Sequence, residues 1–63
     1  MDKNIQIKDT LGTEVDWDGE SITLWQMHES GRSRDMLFIM DKQHAMELIS
    51  AIRHAAEENG WGI

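Results

Sequence analysis

Hydrophobic side chains first alternate along the chain and then recur at helical spacing. Ile5 and Ile7 alternate with polar neighbours, which predicts a short first strand. Leu11-Gly12 marks a turn or a bulge. Thr13 to Trp17 alternates again, with Val15 and Trp17 opposite Glu14 and Asp16. Asp18-Gly19 follows, and Ser21 to Met27 (SITLWQM) is rich in strand formers and predicts the returning strand of a hairpin. Glu29 to Ser33 (ESGRS) forms the next turn, and Asp35 to Met40 (DMLFIM) a further strand.

From Asp41 the period changes. Ala45, Leu48, Ile49, Ile52, Ala55 and Ala56 make one apolar stripe at helical spacing. Asp41 is suited to cap the first turn, because its carboxylate accepts backbone N–H groups that have no partner within the helix. Asn59-Gly60 ends the helix. Gly60 suits a left-handed position, and Trp61 is placed to close a Schellman motif. The predicted fold class is α+β: one domain over residues 1–63, with a small antiparallel sheet of three to four strands followed by one C-terminal helix packed on one face.

A two-residue Asp18-Gly19 loop in a type I′ turn sets a register. It pairs Val15 with Ile22 and Glu14 with Thr23. Val15, Trp17, Ile22 and Leu24 then share the face that the helix stripe needs. Glu14, Asp16, Ser21 and Thr23 share the other face with Trp25 and Met27. The strand DMLFIM is apolar on both sides, with Met36, Phe38 and Met40 on one and Leu37 and Ile39 on the other. One helix covers only one face, so a strand of this kind calls for a second cover, from another copy of the chain or from a partner.

Length and charge sharpen this picture. A 63-residue chain buries only about 60 % of the surface it exposes when unfolded, and small scaffolds commonly need a staple. There is no cysteine, which excludes disulfides and thiolate zinc sites. Twelve acidic residues against six basic ones give a formal net charge of −6. Such a chain repels nucleic acid and anionic membranes, and basic protein surfaces suit it better. The opening MDKNIQIKDT has no apolar core segment and no apolar run spans a bilayer, so neither a signal peptide nor a transmembrane helix is expected, and a cytoplasmic location is.

Within EVDWDGES, positions 14–21, the six residues Glu14 to Gly19 resemble the opening of an EF-hand loop, but the twelfth position counted from Glu14 is Trp25, where the ion needs a bidentate Glu. His28, His44 and His54 are not spaced to share a metal on one helix face. No P-loop, serine-nucleophile elbow or cysteine nucleophile occurs. The expectation is a protein that is not an enzyme and carries no cofactor and no metal.

The acidic segment remains. Glu14, Asp16, Asp18 and Glu20 follow one another at alternate positions, and Glu14, Asp16 and Asp18 lie on one strand face with about 6.8 Å between neighbours. Phosphates along a nucleic-acid strand have a similar spacing, so this row suits a Lys/Arg groove meant for nucleic acid. It equally serves as a solvated face that discourages edge pairing. With Trp25 and Met27 as apolar anchors, these four carboxylates are the candidate partner-binding residues. Arg32 and Arg34 flank the second turn and are expected to be solvated there, or to bind a partner carboxylate.

In size, acidity, absence of Cys and Pro, and a short sheet followed by the helix DKQHAMELISAIRHAAEENGW, the chain resembles the small acidic accessory proteins of bacteriophages and mobile elements, including some anti-CRISPR proteins. The resemblance implies a stoichiometric role, as an inhibitor or modulator that occupies the surface of a larger host protein in the host cytoplasm. It assigns no role to any single residue. The alternative is a structural homodimer whose sheets stack through Trp25, Met27 and one face of residues 35–40.

Overall fold

The computed structural model describes residues 3–62. Among them four strands and one helix follow in sequence: β1 (Asn4–Gln6), β2 (Glu14–Trp17), β3 (Ile22–Met27), β4 (Arg34–Met40) and α1 (Lys42–Glu58). The strands form one antiparallel sheet in the order β1-β2-β3-β4, so each strand lies beside its neighbour in the chain. This is the α+β arrangement expected from the change of period at Asp41.

The helix ends are built by the predicted residues. Asp41 has an extended backbone, and its carboxylate accepts the His44 N–H at 2.9 Å. At the other end the Gly60 N–H reaches the Glu57 carbonyl and the Trp61 N–H reaches the Ala56 carbonyl, both at 2.9 Å. Gly60 takes φ +71°, the left-handed conformation the Schellman motif requires.

The hairpin corrects the expected register. The Asp18-Gly19 pair does not form a two-residue loop. Four residues, 18–21, connect β2 to β3, and the pairs are Trp17 with Ile22, Val15 with Leu24 and Glu14 with Trp25. A type I′ turn needs positive φ at both central residues, and only Gly19 has it, at +94°. Asp18 instead turns its carboxylate back onto the loop and accepts the Glu20 and Ser21 N–H groups at 2.9 and 2.8 Å. This side-chain turn offers the backbone an alternative to the tighter loop. The displacement is two residues along β3, so every side chain keeps its predicted face.

A second correction falls on β4. Leu24 pairs with Phe38, yet Trp25 pairs with Met36, which leaves Leu37 without an opposite residue. This bulge reverses the facing of everything before it on β4. Met36 and Arg34 lie on the side of Trp25, and Phe38 and Met40 on the side of Ile22 and Leu24. Met36 was expected to share a face with Phe38 and Met40. An uninterrupted strand would have placed Arg34 there too.

The helix meets the sheet chiefly through β4. Ala45, Met46 and Ile49, in its first two turns, line a groove with Trp17, Ile22 and Met40. Among the described residues only Met40, Ala45 and Ala56 are buried apolar side chains. Ile49 and Ile52, in the centre of the stripe, stay about half exposed, as do Met36, Leu37, Phe38 and Ile39 on β4. The radius of gyration is 13.3 Å, against about 11 Å for a compact domain of this length.

Candidate functional site

The face of the sheet away from α1 gathers the candidate residues. Asn4 on β1 lies opposite Asp16, Glu14 on β2 lies opposite Trp25, and Arg34 on β4 lies opposite Met27. Alternation along each strand points these side chains to one side, and the bulge at Leu37 adds Arg34 to them.

Arg34 organises the cluster. Its guanidinium carbon stands 3.9 Å from the centroid of the Trp25 ring. Its Nη1 donates to Glu14 Oε1 at 3.4 Å, and its Nη2 pairs with Asp16 Oδ2 at 3.2 Å. The Asn4 side-chain amide donates to the same two carboxylates, to Glu14 at 3.2 Å and to Asp16 at close range. The flat, weakly hydrated guanidinium suits this place, since it stacks on an aromatic face and still directs N–H groups to two carboxylates.

The Asn4 hydrogen bond holds the Asp16 carboxyl below the usual carboxylate range, and the charge and hydrogen bond of Arg34 act in the same direction. The Trp25 indole N–H is buried and has no hydrogen-bond partner of ordinary length, though it lies close enough to Asp16 to favour the ionised acid further. Asp18 is also lowered, by the Glu20 and Ser21 backbone N–H groups it accepts. Asp9, in the loop before β2, is lowered by the Thr13 hydroxyl and the backbone N–H groups that converge on it.

The candidate residues thus divide. Glu14, Asp16 and Trp25 come together, tied by Arg34 and Asn4. Asp18 lies beyond them at the turn, and with Lys3, Asn4, Glu14, Asp16 and Arg34 it lines an open depression of about 720 Å³. Glu20 is exposed at the tip of the turn, and among the described residues its carboxylate has no partner. Met27 is set apart at the far end of β3, about half exposed, where its side chain closes over Gly12.

Arg34 and Asn4 were not among the expected site residues. The sequence leaves Arg34 solvated at the turn or bound to a partner carboxylate, because its facing depends on the bulge, which no pattern of apolar positions announces. Asn4 stands next to Ile5 in a three-residue strand, and its partner residues become visible only once β1 is paired with β2.

The histidines stay apart from this face. The His28 Nδ1 accepts the Ser30 N–H within the β3–β4 turn at 3.1 Å, the His44 ring meets the edge of Phe38, and His54 lies 3.8 Å from Glu58 on the exposed helix. Among the described residues no three His, Asp or Glu side chains converge as metal ligands, and no helix is long and apolar enough to cross a membrane. No protein-family model, curated protein or solved structure matches the chain.

Proposed function

We propose that this chain is a small acidic protein-interaction module that acts stoichiometrically on a larger protein with a basic, nucleic-acid-binding surface. One observation carries the reading: the open depression at one end of the sheet presents Glu14, Asp16 and Asp18 together with Lys3 and Arg34, and Glu20 is exposed at the adjoining turn. Hydrogen bonds lower the Asp16 and Asp18 carboxyls below the usual carboxylate range, so both favour the ionised form. A net charge of −6 extends the field beyond the site and speeds encounter with a positive partner.

Arg34 gives the contact a defined geometry. A Lys or Arg arriving from the partner meets Asp18 and Glu20 first, and then carboxylates whose side chains are already fixed by Arg34 and Asn4. Side chains ordered in advance lose less entropy on binding. The test is capture of partners from a host lysate on immobilised chain, with bound proteins identified by mass, followed by binding measurements across salt concentrations. Basic partners whose affinity falls as salt rises support the reading. Capture that does not respond to salt or to Glu20→Lys removes it.

A further inference from the structure

The surface of the chain is too large for a molecule of its mass. It exposes 5477 Å², whereas a folded monomer of 7.3 kDa exposes about 4,200 Å², so roughly 1,300 Å² is in excess. Exposed apolar side chains run along β4, at Met36, Leu37, Phe38 and Ile39, and recur on α1 at Met46, Ile49 and Ile52, each at least 44 % exposed. Ile49 and Ile52 belong to the stripe that the helix was expected to bury.

The position of β4 adds a second, independent feature. It is the last strand in the sheet order and pairs only with β3 among the described residues. It is also the longest strand, with seven residues. Natural edges are blunted by lysine, proline, short length or a bulge. β4 has neither lysine nor proline, and after Asp35 it runs uncharged to Met40, with only the bulge at Leu37 to interrupt it.

We infer that two copies of this chain form a homodimer in which β4 pairs antiparallel with β4 of the second copy, and the α1 stripes centred on Ile49 and Ile52 close over the joined sheet. A twofold axis normal to the sheet gives antiparallel pairing and puts both helices on the same side. If each chain buries its excess, the total is about 2,600 Å², within the range of obligate homodimers, whose interfaces resemble a divided core. A second copy fits better than the basic partner proposed above, because this surface is apolar whereas Glu14, Asp16 and Asp18 line the separate depression with Lys3 and Arg34. The inference shares the premise that the chain works by contact, but it uses different residues.

The experiment uses the whole chain. Sedimentation at micromolar concentration is expected to give twice 7.3 kDa. The chain has no cysteine, so one introduced cysteine reports one place. Leu37 is the midpoint of β4, where the two copies meet near the axis. Leu37→Cys is expected to form a disulfide-linked dimer under mild oxidation, and Gln6→Cys, exposed on β1 at the opposite edge of the sheet, to remain largely unlinked. Ile49→Glu with Ile52→Glu is expected to abolish the dimer. A monomeric wild type overturns the inference, as does a dimer that links through residue 6 in preference to residue 37. A monomer that still captures a basic partner removes the dimer and leaves the proposed function standing. A dimer that captures none does the reverse.

Discussion

The Arg34 guanidinium lies 3.9 Å from the centre of the Trp25 ring, on the face of the sheet that α1 leaves open. It brings a positive charge to what the alternation of residues presents as an acidic and aromatic surface, and it pairs with Glu14 and Asp16 from the same position. Its side chain is 39 % exposed, so solvent screens both ion pairs. Arg34→Ala is expected to lower stability in urea denaturation by about 1 kcal/mol, combining a partly exposed cation–π contact with screened ion pairs. Arg34→Lys keeps the charge and loses the flat stack, so it is expected to fall between the two and to change the Trp25 fluorescence.

The Asp41 cap supports a helix that has little help from the sheet. Asp41→Ala is expected to cost about 1 kcal/mol and to lower helical circular dichroism, whereas Asp41→Ser, which retains an acceptor, is expected to cost less.

Two glycines distinguish strain from collision. At Gly12 an added Cβ would stand 2.6 Å from the Met27 Cβ, with the backbone at φ +65°. At Gly19 it would meet open space, at φ +94°. Gly19→Ala is expected to cost about 1 kcal/mol from backbone conformation alone. Gly12→Ala is expected to cost more, because β3 must also shift. Thermal melts of the two variants side by side check the order.

Asp9, Asp16 and Asp18 all have carboxyls lowered by hydrogen bonds in the folded chain. The folded state therefore holds fewer protons than the unfolded state through the acid range. The resulting stability is complete above the ordinary Asp pKa of about 4 and is lost as pH falls through the lowered folded values. Stability measured from pH 6 downward is expected to be level until about pH 4 and then to decline. Asp18→Asn, which keeps an acceptor for the loop, is expected to make that decline shallower.

Glu20 has an exposed carboxylate without a partner among the described residues, so it reports steering without disturbing the fold. Glu20→Lys is expected to slow association with a basic partner and to flatten its dependence on salt, with dissociation little changed. Reversal at Glu14 and Asp16 is expected to slow association as well, but it also releases Arg34. An on-rate indifferent to all three substitutions removes the acidic end as the steering element.

The helix was legible residue by residue, because its signals are local: Asp41 before the stripe, Gly60 after it, and Trp61 one residue beyond. The hairpin was legible in its faces but not in its register. Asp18 serves a four-residue loop instead of a two-residue one, and the displacement by two left Val15 and Trp25 on opposite sides as expected. The place of Arg34 over Trp25 was not legible, because one unpaired residue at Leu37 inverts the facing of the residues before it.

The sequence by itself determined what depends on neighbours in the chain: the order of strands and helix, both helix caps, the acidity, and which side chains of β2 and β3 share a face. Tertiary structure decided what depends on distant pairing. It placed Arg34 over Trp25 and between Glu14 and Asp16, tied Asn4 to the same carboxylates, and left Ile49, Ile52 and much of β4 uncovered. The physical reason is that periodicity fixes the direction of a side chain only while the ladder is unbroken. A bulge, or how much of a helix its sheet covers, is settled by the packing of the whole chain.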